Sequence, residues 1–230
     1  MKICLGMIFK NEEDMLRRNL RLVAPYFDGV VIGDDNSTDG SFEVLEESTV
    51  GVVILPLDEG TFADKRNEVI EEAEDLDYDA IVFLDADESM FSTDIELIQT
   101  RLKSYEAIAM SRYEFGPDVE HYNPKLYPDF QGRAFVLNKG YHYEGDLHET
   151  LFRKGSNVSV FDEGKFYLSK DTPIFHYGRC KSKEEIWLRY HNYNLIKEGK
   201  PTIDKIPEGV KIDLSDVFKD VVKFDGRQPE

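Results

Sequence analysis

Ala80-Ile81-Val82-Phe83-Leu84 is an apolar run that stops abruptly at Asp85-Ala86-Asp87-Glu88. It is rich in β-formers and too short for a helix, so it reads as a strand buried on both faces, as in the middle of a parallel sheet. Ligands of such sheets bind beyond the carboxyl ends of the strands. Asp85 and Asp87 stand at that end, and with the chain turning after Leu84 both can reach one hard cation that also holds a diphosphate. An oxygen-only donor set without thiolates favours Mg2+ or Mn2+. An isolated D-x-D most often only caps the next helix or sits in solvent, so the reading rests on its surroundings.

Those surroundings alternate strand and helix. Residues 2–9 form a first strand, and Asn11-Glu12-Glu13-Asp14 opens a helix with acidic residues in its first turn. Met15, Leu16, Leu20 and Val23 recur at helical spacing until Pro25. Residues 29–33 form a second strand ending in Asp34-Asp35, followed by turn chemistry at 36–40 and a short helix through Leu45. Residues 50–55 form a third strand. Residues 62–74 are helical, with Phe62, Val69, Ile70 and Ala73 on the apolar side and Lys65-Arg66-Asn67 near the start. With the strand at 80–84 this is the cadence of a doubly wound parallel sheet.

After Asp87 the pattern changes. Residues 93–105 fit a helix, 107–113 a strand, and 116–132 a long aromatic, proline-bearing connection of a length that is usually functional or mobile. Residues 133–137 and 165–168 read as strands of a smaller mixed sheet. Residues 174–178 form a short strand leading to a helix with a capping box, Ser182 and Glu185. Ile186, Trp187, Tyr190 and Tyr193 give that helix an apolar side. Val217, Phe218, Val221 and Val222 form a stripe on a last short helix, whose expected place is against the body.

The 230 residues, 41% of them hydrophobic, suffice for one sizeable core. No apolar run approaches the ~18 residues a membrane span requires, and the amino-terminal segment reads as a core strand, not a signal peptide. With Cys4 and Cys180 alone, neither a disulfide framework nor a zinc cluster is expected, and a reducing cytoplasm is the default. The net charge of −18 opposes binding to nucleic acid or anionic lipid.

The order and spacing of these motifs resemble the family 2 glycosyltransferases, whose nucleotide-diphosphate-sugar-binding fold is called GT-A. The resemblance runs from residue 2 to about 191 and is carried by Phe9-Lys10-Asn11-Glu12, Asp34-Asp35-Asn36-Ser37-Thr38-Asp39-Gly40, Lys65-Arg66-Asn67 and Phe83-Leu84-Asp85-Ala86-Asp87. Gly132-Arg133-Ala134-Phe135 and Gly145-Asp146-Leu147-His148-Glu149 resemble the branch with a His-Glu pair, which includes enzymes acting on lipopolysaccharide cores and on peptides. The resemblance implies an α/β fold: an αβα sandwich with a mostly parallel central sheet and a smaller mixed sheet on the acceptor side. It implies a domain over 1–198, with a nucleotide-sugar-binding half at 1–87 and an acceptor half at 88–198, then an extension at 199–230.

It also implies roles. The loop of Phe9, Lys10, Asn11 and Glu12 would hold ribose and base, and Asp35 would accept the imide N–H of a uracil in a charge-assisted hydrogen bond. Asp39 would cap the next helix. Arg66 would meet the diphosphate or position the D-x-D loop, and Asn67 would bond the backbone of a neighbouring loop. Asp85 and Asp87 would bind Mn2+ or Mg2+, with Asp85 also serving the nucleotide and His176 near the metal or diphosphate. Transfer with inversion needs a base for the acceptor proton while the metal neutralises the departing diphosphate. The His-Glu pair puts that role on Glu149, with Asp146 second and His148 orienting or facing the acceptor. Lys65, Arg133 and Arg179 are candidates for phosphate or acceptor contacts. The implied partners are a UDP-sugar and an acceptor that is a glycan, a lipid-linked glycan or a protein. A homodimer and peripheral membrane contact stay open. Residues 116–132 are a candidate lid, and Tyr113, Phe115, Tyr122, Tyr127 and Phe130 either stack on sugars or form core.

Three rivals arise from the same residues. Asp35 to Glu46 fits the twelve-position calcium loop, yet a β-rich run precedes it where a helix should stand and no second loop pairs with it. A nucleotidyltransferase should carry a glycine-rich basic loop after the first strand, and Phe9-Lys10-Asn11-Glu12 has no glycine. A non-catalytic sugar-binding domain is opposed by the intact Asp85, Asp87 and Glu149.

Overall fold

Alternation along the first strands decides how the molecule is layered. The computed structural model describes residues 1–47, 51–57, 59–146, 148–156, 159–160, 166–203 and 205–229. Every residue of β1 (Ile3–Phe9) is buried, and successive side chains point to opposite faces of the sheet. Leu5 and Met7 enter one core cluster, Cys4 and Ile8 the other. The split recurs in β2 (Gly29–Asp34), where Val30 and Ile32 oppose Val31. After β3 (Val52–Pro56) it recurs in β4 (Ala80–Phe83), where Ala80 and Val82 oppose Ile81 and Phe83.

Helices cover both faces. On the first lie α1 (Glu13–Val23), through Leu16, Leu20 and Val23, and α2 (Ser41–Glu46), through Val44 and Leu45. On the second lies α3 (Phe62–Asp75), through Val69, Ile70 and Ala73. Each such Val, Leu or Ile side chain contributes about 1.5–3 kcal/mol on burial. The helix α3 starts at a reciprocal capping box between Thr61 and Asp64, which leaves Phe62 46% exposed and not on the apolar side. Further on come β5 (Glu88–Ser89), α4 (Ser92–Arg101), which adds Ile95 and Ile98 to the first face, and β6 (Ala107–Glu114).

The rest of the sheet is assembled from β8 (Asp129–Val136) and β11 (Tyr167–His176), giving eight strands in the order β3-β2-β1-β4-β8-β6-β11-β5. Strands β3, β2, β1 and β4 run parallel, as do β6 and β11, while β8 is antiparallel to both β4 and β6. The carboxyl ends of β1, β2, β4, β6 and β11 therefore open on one edge. The strands expected at 133–137 and 165–168 in a smaller sheet instead belong to this one, as the end of β8 and the start of β11; residue 165 lies outside the described residues. The stretches around 168 and 175 are one strand, joined across a register shift between Ser169 and Ile174.

Two antiparallel pairs stand apart from the main sheet. One joins β9 (Tyr141–Glu144) to β10 (Thr150–Arg153) over the face of α3; the other joins β7 (His121–Tyr122) to β12 (Val222–Lys223). The connection at 116–132 is not a free lid. Tyr113 stacks on Tyr127 with centroids 4.1 Å apart, Tyr122 and Phe224 meet Tyr113 edge-to-face, and Phe115 and Phe175 lie tilted against it. These aromatics satisfy one another, and Phe224 ties the carboxyl-terminal segment into the cluster. After α5 (Lys183–Lys197), the last helix α6 (Ser215–Phe218) is a single turn, because Val222 leaves it to pair with β7. The calcium-loop reading fails on topology: β2 precedes it, and its seventh to twelfth positions are helix α2, with Ser41 buried. Among the described residues no helix is long and apolar enough to cross a membrane.

Candidate functional site

The turn after β4 is fixed from three sides. Asp85 N–H donates to the Glu88 carboxylate at 2.9 Å and Glu88 N–H to the Asp85 carbonyl at 2.8 Å, which closes the turn on itself. Asn19 of α1 donates its amide to the Ala86 carbonyl at 2.7 Å, and Tyr177 N–H donates to the Asp87 carbonyl at 2.8 Å. The D-x-D backbone is thus held by the helix after β1 and by the end of β11.

Its two aspartates face different partners. The Asp85 carboxylate accepts from Arg66 Nη2 at 2.6 Å and from Arg133 Nη2 at 2.9 Å, both from buried side chains. Arg66 also donates Nε to Glu149 Oε1 at 2.6 Å, while Arg112 bridges the fully buried Glu88 and Asp129. Burial alone would raise the Asp85 pKa, but the two guanidiniums outweigh it and hold the carboxyl well below the usual range. Glu149 is treated likewise: burial raises it, Arg66 and Arg133 overcome that, and the carboxylate stays ionised.

Asp87 is buried, and a different set of cations surrounds it. His176, at the end of β11, places Nε2 3.4 Å from Asp87 Oδ1 and Nδ1 2.7 Å from Glu114 Oε2. Arg189 reaches from α5 to Asp87 Oδ2 at 3.0 Å. Burial would lower the His176 pKa, but Glu114 and Asp87 together push it up to about 10. Glu114, which also pairs with Arg179 Nε at 3.1 Å, is held down at about 2 against its own burial, chiefly by His176. Lys181 pairs with Glu12, whose pKa is raised by burial and by Asp87. Gly178 is needed between these partners, since a β-carbon there would lie 2.5 Å from His176 Nε2 and 2.6 Å from Arg189 Nη1.

The two loops expected at a nucleotide are joined to each other. Asn11, at a φ of 53°, donates N–H to Ser37 Oγ at 2.9 Å and accepts Thr38 N–H at 2.7 Å. Asp35 donates N–H to the Phe9 carbonyl, and its carboxylate pairs with Lys65 Nζ at 2.7 Å. Asp39 accepts the N–H groups of Ser41 and Glu13, which ties the start of α2 to α1, while the N-cap position expected of it is held by Gly40. The Phe9 side chain lies in the core, which leaves only its backbone at the loop, and Lys10 is exposed. Asn67 makes paired hydrogen bonds with the Tyr143 backbone, at 2.9 and 2.8 Å.

Of the two candidate bases, Glu149 enters the arginine network, whereas Asp146 is exposed and makes no contact with it. The intervening Leu147 of that motif lies outside the described residues. His148 is turned to Tyr193 of α5, Nε2 to hydroxyl 2.6 Å, at a φ of 57°. Arg133 faces Asp85, not the edge, and Arg179 faces Glu114.

Sequence reasoning missed Asn19, Glu114, Lys181 and Arg189. Asn19 left a signal, a polar residue on the apolar face of α1 between Leu16 and Val23. Arg189 left none, since its partner is 102 residues away. Among the described residues no three His, Cys, Asp or Glu side chains converge on a metal position. Asp87 and His176 converge as a pair, and both oxygens of Asp85 are engaged by arginine. Asp87, joined by the imidazole once its Nε2 proton is displaced, fits a hard divalent cation which takes one or two protein ligands and completes its shell with phosphate and water; it does not fit an all-protein cage.

A family model described as glycosyl transferase family 2 matches residues 4–164. The SPbeta prophage-derived glycosyltransferase SunS of Bacillus subtilis (strain 168) is 27% identical over 198 residues, a match covering 85% of this chain and 44% of that protein. The SunS glycosyltransferase of Bacillus phage SPbeta matches equally. The chain thus spans 44% of the length of these curated relatives. Among solved structures, S. aureus TarS 1-349 in complex with UDP-GlcNAc aligns with a TM-score of 0.51 at 15% identity, covering 85% of this chain and 67% of that one. Glucosyl-3-phosphoglycerate synthase from Mycobacterium tuberculosis, in complex with Mn2+, UDP and glucosyl-3-phosphoglycerate, aligns with a TM-score of 0.53 at 15% identity, covering 87% and 81%. At such identity the structural likeness establishes the fold, an α/β sandwich of the GT-A type.

Proposed function

The chain belongs to glycosyltransferase family 2, and from that premise we propose that it is a metal-assisted, inverting transferase that moves a sugar from a UDP-sugar to an acceptor. The observation that carries this reading is the pairing of Asp87 with His176 at the carboxyl edge of the sheet, beside an Asp85 locked between Arg66 and Arg133. Asp87, and His176 on giving up the Nε2 proton it holds toward Asp87, would hold Mn2+ or Mg2+, which supplies charge neutralisation to the departing diphosphate. The Mn2+ and UDP named in the mycobacterial synthase complex, and the UDP-GlcNAc named in the TarS complex, support that choice.

This chain's own residues account for the remaining tasks. Asp35, at the end of β2, offers a carboxylate to an imide N–H, with Lys65 beside it to donate to a carbonyl. Glu149 is the candidate base: Arg66 and Arg133 keep it unprotonated, so it can accept the acceptor's proton at neutral pH, and Arg66 fixes its direction. Arg66 is read as a positioning residue, because its bonds go to Asp85 and Glu149. Residues 1–87 form the donor half, residues 88–198 the acceptor half, and 199–230 an extension that packs back through Phe224.

Binding measurements test this directly. Titrating the protein with UDP, GDP, ADP and CMP, with and without Mn2+, is expected to show one nucleoside diphosphate, UDP, whose binding Mn2+ strengthens and Asp87→Ala abolishes. Metal-independent binding, or none, would remove the mechanism and leave the fold without its chemistry.

A further inference from the structure

Helix α5 touches the site at two points and the core at hardly any. Ile186 is its only buried residue among those described, so polar contacts decide where it rests. Arg189 Nη1 donates to Asp87 Oδ2 at 3.0 Å and to the Gly178 carbonyl at 3.2 Å. Its side chain is 53% exposed while that of Asp87 is 3% exposed, so the arginine covers the carboxylate from outside. One turn on, Tyr193 projects from the same helix face and its hydroxyl meets His148 Nε2 at 2.6 Å. His148 directly precedes Glu149, in the left-handed region where a non-glycine residue is held only by its surroundings. Glu149 returns through Arg66 to Asp85. The contacts form a closed circuit that leaves the D-x-D turn at Asp87 and re-enters it at Asp85.

We infer that α5 couples cation occupancy at Asp87 to the placement of Glu149, with Arg189 as the resident counter-ion of Asp87 and Tyr193 as the link to the His148 turn. The inference rests on the function proposed above. A cation arriving at Asp87 competes with Arg189 for Oδ2. Release of the arginine removes one of the few polar contacts holding α5, and the helix carries Tyr193, hence His148, with it. Arg189 and Tyr193 are positioning residues in this scheme.

Three variants test it without measuring turnover. Titration with Mn2+ alone, followed by its paramagnetic resonance, is expected to show Arg189→Gln binding Mn2+ about fivefold or more tightly than wild type, the usual lower range of a coupling between sites. Arg189→Lys keeps the charge and is expected to stay near the wild-type value, which a merely structural role would not restore. Amide hydrogen exchange with Mn2+ and UDP is expected to change at residues 85–89 and 148–151 in wild type, but only at 85–89 in Tyr193→Phe. Equal or weaker Mn2+ binding by Arg189→Gln, or an unaltered exchange response in Tyr193→Phe, overturns the coupling. A wild type that binds neither Mn2+ nor UDP overturns the proposed function and the coupling with it; a wild type that binds both while the variants match it overturns the coupling alone.

Discussion

Asp85 and Asp87 lie two residues apart on one turn and are neutralised in opposite ways. Asp85 is 25% exposed, but its cations are buried: Arg66 at 3% and Arg133 at 6%. Both come from elements of the body, α3 and β8, and both carry second carboxylate partners, Glu149 and Glu88. Asp87 is itself buried, and its cations are an imidazole and an arginine that is half exposed on a peripheral helix. A guanidinium inside a network is fixed in charge and place. An exposed one can leave at little cost. The two aspartates of the motif are therefore not equivalent: the first is tied to buried cations of the framework, and the second keeps one partner that is half exposed.

The largest effect that can break this contrast is on stability. Arg133→Ala leaves Asp85 and the fully buried Glu88 short of a cation, and unpairing buried charge costs about 3–5 kcal/mol. Arg189→Ala, which removes a half-exposed partner and leaves Asp87 still paired with His176, is expected to cost less than Arg133→Ala. Urea unfolding of both variants against wild type checks the difference, and equal losses would erase the distinction. pH adds a sign. The Asp85 and Glu149 carboxyls are held below their ordinary values, so their contribution is complete above about pH 4.5 and is lost as pH falls toward their folded-state pKa. The gap between wild type and Arg133→Ala should accordingly narrow in acid.

The next effect is on ligand binding. Asp87→Asn is expected to lower Mn2+-dependent UDP affinity by about 100-fold, at least as much as losing a metal's outer partners costs elsewhere. Asp85→Asn should instead disturb the fold first, with melting temperature falling before the ratio of UDP affinities with and without Mn2+ changes. Calorimetric titration alongside thermal unfolding separates the two. Identical profiles for the two variants would show a symmetric metal site.

The sequence displays the framework half of this arrangement more openly than the adaptable half, for a physical reason. Strands β1, β2 and β4 are continuous apolar runs because both faces are covered, and their carboxyl ends carry Glu12, Asp35 and Asp85, so local pattern is enough to place them. Strand β11 is different: Ser169-Lys170-Asp171-Thr172-Pro173 interrupts its apolar pattern, and the chain reads as two strands. The structure bridges the gap with a register shift, where Arg101 of α4 grips Asp171 with two hydrogen bonds. Sheet membership of β8 was equally hidden, because it depends on pairings with β4 and β6 that no local window contains. Arg66, Asp85, Asp87, Glu149 and His176 were singled out by motif position, and they lie together at one edge of the sheet. Arg189 and Glu114 were not singled out, since their meaning comes only from the partner each reaches across the fold.

The smallest of these effects is the sharpest test, because it reaches one aspartate's partners and spares the other's. Gly178 lies where a β-carbon would stand 2.5 Å from His176 Nε2 and 2.6 Å from Arg189 Nη1, distances that force both groups to move. The atoms nearest that position belong to His176 and Arg189, the partners of Asp87, and not to Arg66 or Arg133. Overpacking of this sort costs about 1–3 kcal/mol, and less where flexible side-chain ends can yield, as Arg189 can. Gly178→Ala is therefore expected to leave the urea midpoint within reach of wild type while Mn2+-dependent UDP affinity falls about tenfold, the equivalent of 1.4 kcal/mol. Metal-free UDP affinity should change much less, since the Asp35 and Lys65 contacts lie at the other strand ends. A loss of stability with unchanged metal dependence would mean that His176 and Arg189 merely fill space beside Asp87, and the two aspartates would have to be treated as one structural unit.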